Sequence, residues 1–132
     1  MKSLFAIITL ITSLSFAADK IVEPGIYTAT DVETSTIVAT LNMRANKTVN
    51  LMLAAPDFEM PAEGCDGTYE VTGNIMAAQM ICPIEGFEKM DVTIDITPVT
   101  PESVRSQNGV VVDVIFGAFG DEPAKFVLRK IK

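Results

Sequence analysis

The sequence predicts an all-β fold: a single antiparallel up-and-down barrel of about eight strands, with a β-sandwich as the alternative. Three observations carry this. Short segments with period-two alternation recur along the chain, separated by Gly, Pro, Asn and Asp clusters. No long stretch carries a helical stripe. Two cysteines, Cys65 and Cys82, flank a turn signal at a spacing that sets them opposite one another. Eight sequential strands with one apolar face favour closure, because a closed barrel leaves no exposed edge.

The chain opens with Lys2, an apolar run from Leu4 to Phe16, and small residues at Ser15 and Ala17. This pattern predicts a secretory signal peptide over residues 1–17, cleaved after Ala17, and a single domain over 18–132. The run is too short for a transmembrane helix. The expected location is therefore periplasmic or secreted, and the chain is expected not to span a membrane.

Strand one is expected near Gly25 to Thr30. Strand two runs Thr36 to Met43, with Ile37, Ala39, Leu41 and Met43 on one face. Strand three runs Thr48 to Ala54, with Val49, Leu51 and Leu53 inward. Strands four and five form the hairpin between the cysteines. Strand six, Lys89 to Ile96, alternates Met90, Val92, Ile94 and Ile96 with Asp91, Thr93 and Asp95. Strand seven, Val110 to Phe116, sets Val110, Val112, Val114 and Phe116 on one face, and strand eight, Lys125 to Ile131, is ambiguous in phase. In the long sixth connection, Thr100 followed by Pro101 suits the start of one helical turn.

Within the hairpin, Gly73-Asn74 suits a two-residue turn of type I′ or II′. Counting outward from Thr72 and Ile75, Cys65 and Cys82 fall on a non-hydrogen-bonded pair, where the Cα atoms approach most closely. That spacing suits a disulfide, which would stabilise the fold by roughly 3 kcal/mol in the chain-entropy model. The same parity places Gly67, Tyr69, Val71, Met76, Ala78 and Met80 on the cysteines' face. A disulfide also agrees with an oxidising compartment.

Composition sets several functions aside. The net charge is −7. Removing residues 1–17 leaves 9 basic against 17 acidic side chains, a charge of −8. Nucleic acid is not an expected partner, because phosphate neutralisation supplies most of that affinity. Anionic membrane surfaces are disfavoured on the same ground. There is no histidine, no Cys-x-x-Cys and no Asp-x-Asp-x-Asp-Gly loop, so no metal site, cofactor or catalytic residue is assigned. Met76 and Met80 share a face, but four strand residues hold their Cα atoms about 13 Å apart, too far for a shared copper ion.

A meander gathers alternate loops at opposite ends. One end collects Asp31, Glu33, Asp57, Glu59, Glu63, Glu85, Glu88, Asp121 and Glu122, with Phe58, Met60, Phe87 and Phe119. The other receives Lys20, Arg44, Lys47, Arg105, Lys130 and Lys132 against Asp19, Glu23 and Glu102. The expected molecule has an acidic, aromatic rim and a mildly basic base.

This order of strands resembles the lipocalin-like, or calycin, barrels. Members of that group often carry Gly-x-Trp on the first strand at the closed end, with an Arg from the last strand packed over the indole. Gly25-Ile26-Tyr27 and Arg129 stand in the corresponding places, with Tyr for Trp. The resemblance implies a closed end packed by Gly25, Tyr27 and Arg129, and an apolar-cavity binder of small molecules. The leading functional expectation is non-catalytic binding of a small apolar or amphipathic ligand, with Tyr69, Met76 and Met80 inside and Phe58, Phe87 and Phe119 at the mouth. The alternative is an envelope protein-interaction module or inhibitor that docks a protein partner through the same loops, its core packed.

Overall fold

The computed structural model describes residues 20–54, 60–86, 88–117 and 120–132. The predicted signal peptide and Phe58, Phe87 and Phe119 lie outside the described residues. The strands are β1 (Gly25–Asp31), β2 (Ile37–Met43), β3 (Thr48–Leu53), β4 (Cys65–Thr72), β5 (Ile75–Ile81), β6 (Lys89–Asp95), β7 (Val110–Phe116) and β8 (Ala124–Lys130). Each pairs antiparallel with its neighbour in the chain, and β8 returns to β1, so the sheet is a closed eight-stranded up-and-down barrel.

The stapled hairpin has the expected register, from Thr72↔Ile75 to Asp66↔Ile81. One step further out, Cys65 and Cys82 are joined by a disulfide with a Cα–Cα distance of 4.3 Å. Of the two turn residues only Gly73 has positive φ, 62°, the pattern of a type II′ turn. Alternation then sorts the hairpin cleanly. Tyr69, Met76, Ala78 and Met80 are buried, whereas Asp66, Thr68, Glu70 and Gln79 are exposed. Burying aliphatic side chains in this way stabilises by about 1.5–3 kcal/mol each.

One inward assignment is corrected. Ala39, Leu41 and Met43 are buried as expected, but Ile37 is 50% exposed. The β1–β2 register shifts between Ala29↔Ala39 and Thr30↔Ile37, leaving Val38 as an extra residue. Such a bulge breaks the alternation and turns Ile37 outward. The phase of β8 is also explained. Leu128 is buried and Phe126 and Lys130 are half-buried, so a lysine occupies the third inward position where the strand leaves the core.

The sixth connection closes the base. Its helical turn α1 (Pro101–Arg105) begins at Thr100, whose side chain accepts from the Ser103 N–H (3.0 Å) while Ser103 Oγ accepts from the Thr100 N–H (2.8 Å). This reciprocal cap satisfies two donors that the first turn leaves free. It presents Val104, 1% exposed, beside the buried Val99 and Ile96.

This register sets the expected stability of three variants. A Cβ on Gly67 would overlap the Gln79 carbonyl oxygen and lie 2.9 Å from Met80 Sδ. Gly67→Ala should therefore cost about 1–3 kcal/mol by guanidinium unfolding, as overpacking does. Gly73→Ala, with nothing within 4 Å, should cost only its left-handed conformation, about 1 kcal/mol. Equal stability of Gly67→Ala and the wild type would refute the β4–β5 register. Replacing both Cys65 and Cys82 by Ala should lower stability by about 3 kcal/mol while leaving the far-ultraviolet β spectrum in place.

Candidate functional site: a filled barrel with two charged ends

Inward side chains from all eight strands meet in one core. It includes Tyr27, Leu41, Val49, Leu51, Tyr69, Met80, Val92, Ile94, Val112 and Val114, each less than a tenth exposed. The small inward residues Ala29, Ala39, Gly67 and Ala78 sit among them. Met80 pairs across the sheet with Met90, and both are buried. Among the described residues a void at the base, between Tyr27, Met43, Met76, Ile96, Val99 and their neighbours, holds about 20 Å³ and has an apolar lining. That is room for about one water molecule, whereas ligand pockets run to about 300–1,000 Å³. Of the interior candidates, Met76 lines this void; Tyr69 and Met80 are packed elsewhere in the core.

The closed end differs from the arrangement that the resemblance implied. Arg129 is exposed and pairs with Thr28, whereas Tyr27 pairs with Lys130. Adjacent positions on a strand point to opposite faces, so Arg129 lies outside the barrel and does not cover the inward Tyr27. The arginine near Tyr27 is Arg105, at the end of α1. Its Nη2 lies 2.8 Å from Glu23 Oε2, and the Tyr27 hydroxyl donates to the Glu23 carbonyl oxygen at 2.6 Å. Gly25 does sit at this end, with φ 149° and no space for a Cβ against the Lys132 carbonyl and the Lys130 side chain.

Residues 20–24 strap this end. The Lys20 N–H donates to the Gly73 carbonyl at 2.8 Å, and Lys20 Nζ donates to the Thr97 and Val99 carbonyls, each at 2.7 Å. Val22 reaches into the basal void. Lys20, Glu23 and Arg105 were missed as a constellation because their partners lie 77 to 82 residues away, beyond any local pattern.

At the opposite end, strand order gathers Asp31, Glu33, Glu63, Glu85, Glu88, Asp121 and Glu122 with Lys89 and Lys125. Asp31 Oδ1 accepts from the Glu33 N–H at 2.9 Å, shaping the first loop. The Asn50 side chain donates to the Glu63 carbonyl (2.7 Å) and to Asp66 Oδ1 (3.0 Å), tying the third loop to its strands. The Glu88 carboxylate is held below its ordinary pKa by backbone N–H groups of Glu88 and Gly86, so it stays charged to lower pH. Lys125 is paired with Asp113 at 2.9 Å. Beside this rim Ile81 is 68% exposed and Val32 44%. Among the described residues no group of three or more Cys, Asp or Glu side chains is arranged to hold a metal ion, and no helix is long and apolar enough to cross a membrane.

Comparison with family models, curated proteins and solved structures finds no match.

The two tyrosines give the closed end a direct readout, since the chain has no Trp. Burial pushes the Tyr27 hydroxyl up to about 12, with Glu23 and Tyr69 adding to the shift and Arg105 opposing it. Burial also raises Tyr69, whose hydroxyl faces the Arg44 carbonyl at 3.4 Å. A raised folded-state pKa means the associated stability is fully present below the unfolded value, about 10, and is lost as pH rises through about 12. Phenolate absorbance in the folded chain should therefore rise only above pH 10, with Tyr27 last. Two tyrosines titrating near 10 in the folded state would contradict the closed end described above.

Proposed function

We propose that this chain is an exported, non-catalytic interaction module that docks a basic protein partner of the cell envelope through its acidic loop end. The observation that carries the reading is the filled interior. Among the described residues the void between the core side chains holds only about 20 Å³, which favours recognition at the outer surface. Clustering of seven described carboxylates at one end, with Val32 and Ile81 exposed beside them, supplies charge complementarity to a basic partner and apolar contact area. The disulfide at the root of the third and fifth loops limits their movement and so lowers the ordering cost of binding. Export agrees with that disulfide and with the apolar leader. Binding of a small apolar ligand inside the barrel would require Tyr69, Met76 and Met80 to leave a packed core.

Neutralising the rim tests the proposal. The variant Asp31→Asn, Glu33→Gln, Glu85→Gln, Glu88→Gln, Asp121→Asn, Glu122→Gln should bind a basic envelope partner at least tenfold more weakly than wild type. It should also lose most of the salt dependence of binding. Native mass spectra of the protein from its own source should show the bare chain mass. Unchanged partner binding by the variant would sink the proposal. A bound small molecule released on gentle activation would replace it with the interior-ligand reading.

A further inference from the structure

The base of the barrel carries a surface of a different kind. Ile21 on the strap is 87% exposed and Ile131 after β8 is 48% exposed. Arg44 and Lys47 of the β2–β3 turn and Lys130 and Lys132 at the end of β8 stand on the same side. They share it because β8, β1, β2 and β3 are consecutive around the barrel. Ile21 shares one surface concavity with Ala45 and Lys47. The Ile131 N–H donates to the Ile26 carbonyl at 2.8 Å, and Lys130 and Lys132 crowd Gly25, the residue that follows the strap.

Among the described residues none of these four cations is held in an ion pair. The ion pairs among the described residues are Arg105–Glu23 and Lys125–Asp113. Of the described carboxylates toward this end, Glu23 is held by Arg105, Asp95 accepts from Thr97, Glu102 lies on α1, and Glu70 of β4 lines a concavity with Lys47 without an ion pair between them. Above the cations, β2 and β3 contain no charged residue, and β1 has only Asp31 at its rim end.

We propose that this base docks on an anionic lipid surface, with Ile21 and Ile131 entering the interfacial region and Arg44, Lys47, Lys130 and Lys132 against lipid phosphates. Charge complementarity identifies the occupant. Exposed isoleucines among lysines suit a bilayer, which accepts apolar side chains without a shaped pocket. The net charge of −7 disfavours anionic membranes as a whole-molecule average, but contact is decided by the charges nearest the surface. Strands of seven residues, tilted as in a barrel, put the acidic rim about 15–20 Å from the base. That is twice the Debye length of about 8 Å at physiological salt, so the basal cations act on the surface while the rim is screened.

The inference is independent of the rim's proposed partner, and its test reads only the base. Protein recovered from the periplasm of an expressing bacterium, disulfide intact, is sedimented with vesicles of phosphatidylglycerol and phosphatidylethanolamine, and separately with phosphatidylcholine vesicles. Binding at least tenfold tighter to the anionic vesicles is expected. Lys47→Asn with Lys132→Gln should weaken it about 25-fold, at about fivefold per charge. Asn suits the left-handed φ of 65° at residue 47. Ile21→Ser with Ile131→Ser should weaken it at least tenfold. Both pairs replace exposed side chains and should keep the wild-type melting temperature. Equal binding to the two vesicle types, or anionic binding that either pair leaves unchanged, would overturn the inference. So would retention on heparin without vesicle binding, which would assign the base to a soluble polyanion.

Discussion

Closure of the β1–β8 ladder is the constraint on which the rest of the structure depends. Five residue pairs, from Tyr27↔Lys130 to Asp31↔Phe126, join the first strand to the last. Once joined, the sheet has no edge to protect and encloses a fixed volume. That volume has to be filled or hydrated, and here the described inward side chains pack into one core. Alanines and a glycine at inward positions do not hollow the barrel. They make room for Tyr27, Tyr69 and the core methionines, as alternation of small and large residues does in packed barrels of this size.

A filled barrel needs its ends sealed, and the base is sealed by contacts that join distant parts of the chain. The strap brings Lys20 to two carbonyls of the sixth connection, α1 brings Arg105 to Glu23, and Glu23 receives the Tyr27 hydroxyl. The arginine that approaches Tyr27 comes from the β6–β7 connection. That long sixth connection supplies the plug.

What could be read from the sequence was what neighbouring residues decide. Strand limits, the hairpin register, the Cys65–Cys82 pair and the Thr100 cap all arise from contacts within about twenty residues, where period, turn chemistry and capping act directly. Ile37 was misplaced because a bulge costs one residue without a composition signal of its own. Arg129 was misplaced because its face depends on the β8 register, and β8 alternates apolar residues weakly in both phases. The acidic and basic ends were legible because a meander assigns loops to ends by counting alone. The latch of Lys20 and the pairing of Arg105 were not, since they require knowing which loop the strap crosses.

Net charge is a poor guide to a molecule built this way. A value of −7 describes the molecule as a whole, but at physiological salt exposed charges more than about 8 Å from a surface are largely screened. Strand direction converts a nearly featureless sequence of mixed charges into two ends of opposite character, separated by more than that distance. Each end then meets its surroundings almost independently of the other. The barrel wall contributes by staying inert: β2 and β3 present threonine, asparagine and methionine outward without any charge, so neither end's field is carried along that side. The disulfide is placed at the acidic end, at the roots of the third and fifth loops, while the base is braced by hydrogen bonds from the strap. Among the described residues, then, the two ends of the barrel differ in charge and in what braces them: a disulfide at one and the strap's hydrogen bonds at the other.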